Sequence, residues 1–392
     1  MINRWLTLSH LSLRDFLHLL HPKRDAMVHL RETIAWLCRA QDATGGGGVA
    51  RGYTLQFKRL HKKCGWQAAY PETTGYIIPT FFDYAAFAGD KTLRVRALRM
   101  AHWEVDVQMD CGAVQGGVIG FPPTPAVFNT GQVLFGWARA YRETGEEAFR
   151  QAASRAAGFL AGAQDVDGAW RQHGSQYARL GVNVYDARTA WGMLEAFHIT
   201  GRDPYRDAAV RNVEFVLTQQ HPNGWFAHCC LDDDTRPILH TLAYTIEGLL
   251  EAGALLHEPR YIQAAQKAAD ALLAHQRPDG SLAGRFDAEW HPVARWSCLP
   301  GDAQIARVWL RLFQLLGKLH YLKAAQRMTH FLASTQNLTA PDPGVRGGIK
   351  GAHPIWAEYA PYEYPNWAAK FFVDALLLQE RLVCEATACQ PS

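Results

Sequence analysis

Four acidic side chains, Glu72, Asp186, Asp302 and Glu363, recur at comparable points of the chain, each beside the start of a segment with helical periodicity. Two carboxyl groups brought face to face form an acid–base pair, one protonated to donate and the other ionised to accept a proton or attack. A second set offers different chemistry. His240 or Tyr244 can take a proton beside a carboxylate, Tyr76 can protonate a departing oxygen, and Arg188 can grip a carboxylate with two parallel hydrogen bonds. Each of these groups also has an ordinary structural account: a helix cap, an ion pair such as Arg188 with Asp186, or a hydrogen-bonded core histidine. Which account holds depends on the elements that carry them.

Those elements repeat. A glutamine followed by polar residues and glycine occurs at Gln41, Gln108, Gln164, Gln219 and Gln276, and Gln336 leads a longer loop to Gly347 and Gly348; the steps are 67, 56, 55, 57 and 60 residues. Between the markers lies an apolar helical stretch, a short turn (Gly89-Asp90, Thr144-Gly145-Glu146, Thr200-Gly201-Arg202-Asp203, Leu316-Gly317) and a second helix. Segments such as Ala148–Ala163 and Tyr261–His275 carry apolar residues at three- and four-residue spacing, the mark of an amphipathic helix. Each repeat therefore reads as a helical hairpin, and strand signals are nearly missing. Six hairpins can close a ring with one helix of each inside; an open solenoid of helical pairs is the structural alternative.

Alignment on the tight turns favours the ring. Sixteen residues before Gly89, Gly145, Gly201, His257 and Gly317 stand Thr73, Asn129, Tyr185, Thr241 and Gly301 as equivalent helix starts. Three residues further in, the column is Tyr76, Gln132, Arg188, Tyr244 and Gln304; seven in, it is Thr80, Gly136, Gly192, Gly248 and Val308. Glycine within a helix costs about 1 kcal/mol relative to alanine, so three at one position imply close approach of helices near an axis. The polar column should then line a hollow ringed by helix N-termini, whose free N–H groups suit hydroxyl-rich or anionic ligands. Capping explains Asn129 and Thr73 equally well, and Tyr76, Arg188 and Tyr244 less well.

Composition narrows the classes. Of 392 residues, 48% are hydrophobic and 20% charged, and the net charge of +3 comes from 40 basic and 37 acidic side chains without a basic stripe, so nucleic-acid binding is not indicated. No apolar run reaches membrane-spanning length, and His10, Arg14, Asp15, His18 and His21 interrupt the leucine-rich start, which rules against a signal-peptide core. Eight scattered cysteines without a Cys-x-x-Cys pair read as reduced thiols in a cytoplasmic protein. His228, Cys229, Cys230 and Asp232 adjoin, but nothing else has ligand spacing with them, so neither a metal nor a cofactor is expected. The expected organisation is one all-α domain over residues 1–392, with residues 1–25 as an N-terminal helical extension.

The Gln-x-x-Asp-Gly loops and segments such as His240-Thr-Leu-Ala-Tyr-Thr-Ile-Glu-Gly resemble those of the six-hairpin (α/α)6-toroid superfamily of glycoside hydrolases, polysaccharide lyases and sugar epimerases, and more distantly the terpenoid-cyclase toroids. The resemblance spans nearly the whole chain and implies architecture more than one activity. Asp232-Asp233-Asp234-Thr235 is similar to the acidic motif of class II terpenoid cyclases, but Leu231 stands at its first position; Gln164-Asp-Val-Asp-Gly-Ala-Trp170 is similar to their Gln/Trp motif in a single copy. A terpenoid cyclase would need an apolar pocket, which Gln132, Arg188 and Gln304 oppose.

The resemblance implies an enzyme acting on an oligo- or polysaccharide in a central cleft. Glycoside hydrolysis would draw its two carboxyls from Glu72, Asp186, Asp302 and Glu363. Elimination or C5 epimerisation of a uronate would use His240, Tyr244, Tyr76 and Arg188. Aromatic rings for stacking on sugars are dense at the loop ends: Trp66, Tyr70, Trp170, Trp225, Trp290, Trp296, and then Trp356, Tyr359, Tyr362 and Trp367 leading to Lys370, a segment expected to wall the cleft. Asn129, Gln132 and Gln304 are expected to bind substrate beside them. A non-catalytic toroid that binds glycan or protein is the rival from another class.

Overall fold

The computed structural model describes residues 2–22, 24–58, 63–175, 177–178 and 181–388. Five consecutive hairpins follow one plan, an inner helix, a tight turn and an outer helix: α3 (Pro71–Ala88) with α4 (Lys91–Asp106), α5 (Val127–Thr144) with α6 (Glu147–Ala163), α7 (Ala187–Thr200) with α8 (Asp203–Thr218), α9 (Leu239–Leu256) with α10 (Pro259–Ala274), and α11 (Leu299–Leu316) with α12 (Leu319–Thr335). The sixth pair joins the chain ends, since the outer helix α2 (Ala26–Asp42) packs on the inner helix α13 (Asn366–Ala388). Each inner helix packs on the next and α13 packs on α3, so the ring is closed and the open solenoid is excluded. Helix α1 (Ile2–Phe16) precedes the set; its Asp15 accepts from Lys350 Nζ at 2.7 and 2.8 Å and from the Ile355 amide at 2.7 Å.

Sequence pattern explains which helix goes inside. Along α9 every residue from Leu239 to Gly253 is buried, as a helix enclosed by neighbours on all sides requires. Outer helix α6 instead buries only the stripe Phe149, Ala152, Ala153, Ala156, Ala157 and Leu160. At the predicted glycine column the inner helices nearly touch: a Cβ on Gly192 would lie 2.3 Å from the Gly131 carbonyl, and one on Gly136 2.5 Å from that of Gly75.

The recurring glutamines act as staples. Gln108 donates to the carbonyls of Gly112 (2.8 Å) and Ala152 (2.9 Å), and Gln164 to those of Gly168 (3.0 Å) and Ala208 (2.8 Å), tying each loop to the following outer helix. In the fourth repeat this work is done by Gln220, not by the expected Gln219, whose amide turns to Thr218 instead. The loop glycine is obligatory at Gly168, where φ is +91° and a Cβ would sit 2.3 Å from the Arg211 carbonyl.

Short strands, which the sequence barely signals, flank the seam between the chain ends. Strand β1 (Gly52–Lys58) pairs antiparallel with β2 (Lys63–Trp66) and with β5 (Glu363–Pro365), and β3 (Ser297–Cys298) pairs with β4 (Ala352–His353). Pairing Gly52 with Pro365 and Thr54 with Glu363 fixes the approach to α3 against the approach to α13. No helix among the described residues is long and apolar enough to cross a membrane.

Candidate active site

A cavity of about 350 Å³, within the range of small-molecule sites, opens at the amino ends of the inner helices. Glu72, in the first turn of α3, and Asp186, at the head of α7, both line it. Neither is spent on capping its own helix. A polar relay crosses from α5 to α3, in which Asn129 Nδ2 donates to the Tyr70 hydroxyl (3.2 Å) and that hydroxyl donates to Glu72 Oε2. Asp186 has one weak local donor, Thr189 Oγ1 at 3.3 Å.

Burial dominates the electrostatics. It pushes Glu72 up to about 7, against the pull of the Tyr70 hydrogen bond and the Arg51 charge. Burial pushes Asp186 further, to about 8, and the single Thr189 bond offsets little. His240 is driven down to about 3 by burial and is a neutral imidazole; its Nδ1 contacts Gln304 Oε1 at 2.5 Å. That contact makes Nδ1 the donor and leaves Nε2 the lone pair. The ring packs against Tyr244, 4.4 Å between centroids, and stacks on Trp367 at 6.4 Å. Burial also raises Tyr244, so its phenol keeps its proton.

Arg51 completes the wall. Its Nη1 donates to Gln67 Oε1 and Glu363 Oε2, both at 3.1 Å, while the guanidinium lies 5.1 Å from the Tyr177 ring centre and 4.9 Å from that of Trp367. Burial opposes its charge, but Glu363, Tyr177 and Tyr70 more than offset that and hold it cationic. Its Nε is buried with no hydrogen-bond partner among the described residues.

Of the residues expected from sequence, the fold brings Tyr70, Glu72, Asp186, His240, Tyr244, Glu363 and Trp367 to this cavity. Others support it from behind: Asn129 holds Tyr70, and Gln304 holds His240. Asp302 does not reach the wall; it is fully buried and accepts from the Leu282 amide at 3.2 Å, a loop-fixing role. Trp356 is 39% exposed and, like Tyr362, forms no part of the lining. Tyr76, Arg188 and Lys370 lie on the other side of the cavity floor, where they line a second hollow. Arg188 is occupied there, bonded through Nη1 to the buried Glu247 and through Nε to Gln132 at 2.7 Å, so it does not face a ligand at the amino end.

The acidic run Asp232-Asp233-Asp234-Thr235 is also accounted for. Asp232 pairs with the buried Arg285 at 2.7 Å, and Asp233 caps Thr235 and holds Arg236. Among the described residues, ligating atoms of Asp287, Glu289 and His291 come within 4.8 Å of one another, in a loop outside the cavity wall. Arg51 and Tyr177 were not legible as site residues: Arg51 precedes a strand, where no helical register places it, and Tyr177 belongs to an irregular loop.

No family model and no curated protein matches the chain. Solved structures do. An unsaturated glucuronyl hydrolase specific for heparin superposes with TM-score 0.71 at 17% identity, over 91% of this chain and 97% of that one. The unsaturated glucuronyl hydrolase of Bacillus sp. GL1, described as responsible for glycosaminoglycan degradation, gives 0.71 at 16% over 92% and 98%. A mutant of the unsaturated glucuronyl hydrolase from Streptococcus agalactiae, complexed with dGlcA-GalNAc6S, gives 0.66 at 12% over 94% of each chain. At these identities the likeness establishes the fold, an all-α (α/α)6 toroid.

Proposed function

We propose that the protein is a glycoside hydrolase acting on an oligosaccharide that bears a uronate, bound at the amino ends of the inner helices. The observation that carries this reading is the pair of buried carboxyls in one cavity, both raised by burial but differently partnered. The Tyr70 hydroxyl and the Arg51 charge favour ionised Glu72, while Asp186 has only the weak Thr189 bond among the described residues and keeps its proton more readily, the division of labour that glycosidic cleavage requires. Asp186 would protonate the departing oxygen, and Glu72, oriented by Tyr70 and Asn129, would activate water or attack. Arg51, held between the rings of Trp367 and Tyr177, offers a cation to the sugar's carboxylate. Toroids of the same fold described as unsaturated glucuronyl hydrolases support the choice of a uronate. The free thiols Cys229, Cys230 and Cys298, all buried, support a reducing, cytoplasmic setting.

A second reading, elimination or epimerisation of a uronate, draws on the neutral His240 packed on Tyr244 in the same cavity. One assay separates them. Incubated with saturated and with unsaturated-uronate oligosaccharides, a hydrolase releases reducing ends and erodes the absorbance of the unsaturated uronate, whereas elimination creates that absorbance. Glu72→Gln and Asp186→Asn should each lower kcat by about 100-fold or more. Full activity in both variants would defeat the assignment, and binding without turnover would favour the non-catalytic toroid.

A further inference from the structure

The carboxyl ends of the inner helices enclose a second cavity, of about 470 Å³, separated from the first by the Tyr76, Arg188 and Tyr244 layer. Its wall is cationic. Arg139, Arg142, Arg307, Arg311 and Arg381 stand toward solvent with side chains 18–44% exposed. Arg188 and Lys370 lie at the bottom, 2% and 6% exposed.

Four carboxylates share the wall with these seven cations, each committed to cations: Asp83 to Arg139 and Arg381, Glu195 to Arg142, Glu251 to Arg307 and Arg311, Asp374 to Lys370. Behind the wall, Glu247 pairs with Arg188 and Arg307, and Glu143 is shared by Arg139 and Arg94, so the network holds eight cations against six carboxylates, an excess of two positive charges among the described residues around a concave, half-dry space. A balanced network of ion pairs needs no ligand; this one is two anions short.

Burial weighs most on the bottom of the cavity, and like charge adds to it. Burial lowers Lys370 to about 8 against the pull of Asp374, with Arg188 and Arg307 lowering it further, and burial with Arg307 brings Arg188 down to about 10 against Tyr244 and Tyr76. Groups crowded in this way gain most from an arriving anion. Trp191, Phe135 and Tyr76 lie against Arg188, Arg307 and Lys370 and help to fix those cations in the wall, and the volume exceeds that of a bare oxyanion.

We propose that this cavity is a binding site for a small phosphomonoester dianion, such as a sugar phosphate, distinct from the site at the amino ends of the inner helices. The guanidinium groups would grip the phosphate oxygens, and the remaining volume would hold the sugar.

Calorimetry of the full chain with glucose 1-phosphate and with inorganic phosphate tests it. The expected result is one site with Kd below about 1 mM for the sugar phosphate, weakened at least about tenfold by Arg142→Gln/Arg381→Gln and unchanged by Glu72→Gln. Tighter binding of inorganic phosphate would assign the site to the free ion and overturn the sugar-phosphate assignment. Binding by the unsubstituted chain should weaken as salt rises, as a cationic wall requires; this needs no substitution and stands if the double variant fails to fold. Absence of binding up to about 10 mM, indifference to the double variant, loss with Glu72→Gln, or binding indifferent to salt would each overturn the proposal.

Discussion

Glu104 occupies a position that the repeat assigns to an apolar residue. Four residues before the stapling glutamine stand Leu37, Leu160, Val216, Leu272 and Leu332, all fully buried, and in α4 the same place holds Glu104, also fully buried, with neither carboxyl oxygen hydrogen-bonded among the described residues. Burial alone holds its pKa well above the ordinary 4.5. The sign follows from linkage. Below pH 4.5 both the folded and the unfolded chain carry the proton and nothing changes. Above it the unfolded chain loses the proton and the folded chain keeps it, so stability falls as pH rises, by about 1.4 kcal/mol per unit while the folded carboxyl stays protonated. At pH 6.5 the loss amounts to roughly 2–3 kcal/mol. Glu104→Leu, which restores the residue of the other repeats, should recover it. For a chain of 392 residues the unfolding entropy near Tm is about 0.8 kcal/mol per degree, so the variant should melt about 3 °C higher at pH 6.5. The gap should shrink towards pH 4.5, as read by scanning calorimetry at both pH values. Glu104→Gln should lose the pH slope yet remain destabilised, because its amide is buried without a partner. A lower Tm for Glu104→Leu, or a gap that stays flat across this pH range, would refute the reasoning.

Activity on the acidic oligosaccharide should rise as Glu72 ionises near pH 7 and fall as Asp186 loses its proton near pH 8; in a pH–rate profile, a broad plateau through both values would contradict the paired roles. Arg51→Gln should raise KM for uronate-bearing oligosaccharides by about tenfold or more and leave neutral ones little affected, a split visible in steady-state kinetics. Gly168→Ala should destabilise by more than about 1 kcal/mol, since φ of +91° and the Arg211 carbonyl at 2.3 Å both exclude a side chain. Gly158→Ala in α6, where a Cβ meets nothing within 4 Å, should stabilise by about 0.5–1 kcal/mol, and thermal unfolding of the two variants side by side checks the contrast.

The ring was legible because its determinants are periodic: the stapling glutamine and the loop glycine recur once per hairpin, the helix glycine recurs in three consecutive hairpins, and repetition makes a weak local signal strong. The site is legible only in part, because it breaks the repeat. Register along the inner helices correctly set Tyr76, Gln132, Arg188, Tyr244 and Gln304 at one level, but a level is not a surface. Three residues of helix advance about 4.5 Å along the axis, and that advance is enough to move a side chain from the mouth of the cavity to its floor. Tyr244 still reaches the upper cavity, Arg188 and Tyr76 open to the lower one, and Gln132 and Gln304 serve as second partners to Arg188 and His240. The depth of each residue depends on which neighbour its side chain meets, and Glu247, the buried carboxylate that claims Arg188, lies three residues beyond Tyr244 at a position the column did not include. Arg51 escaped for the complementary reason, since it enters from a strand whose place is set by pairing with Glu363–Pro365, more than three hundred residues away in sequence. Sequence pointed to Arg188 for a sugar carboxylate; the arginine that lines the upper cavity is Arg51, and its place depends on long-range pairing that helical register does not encode.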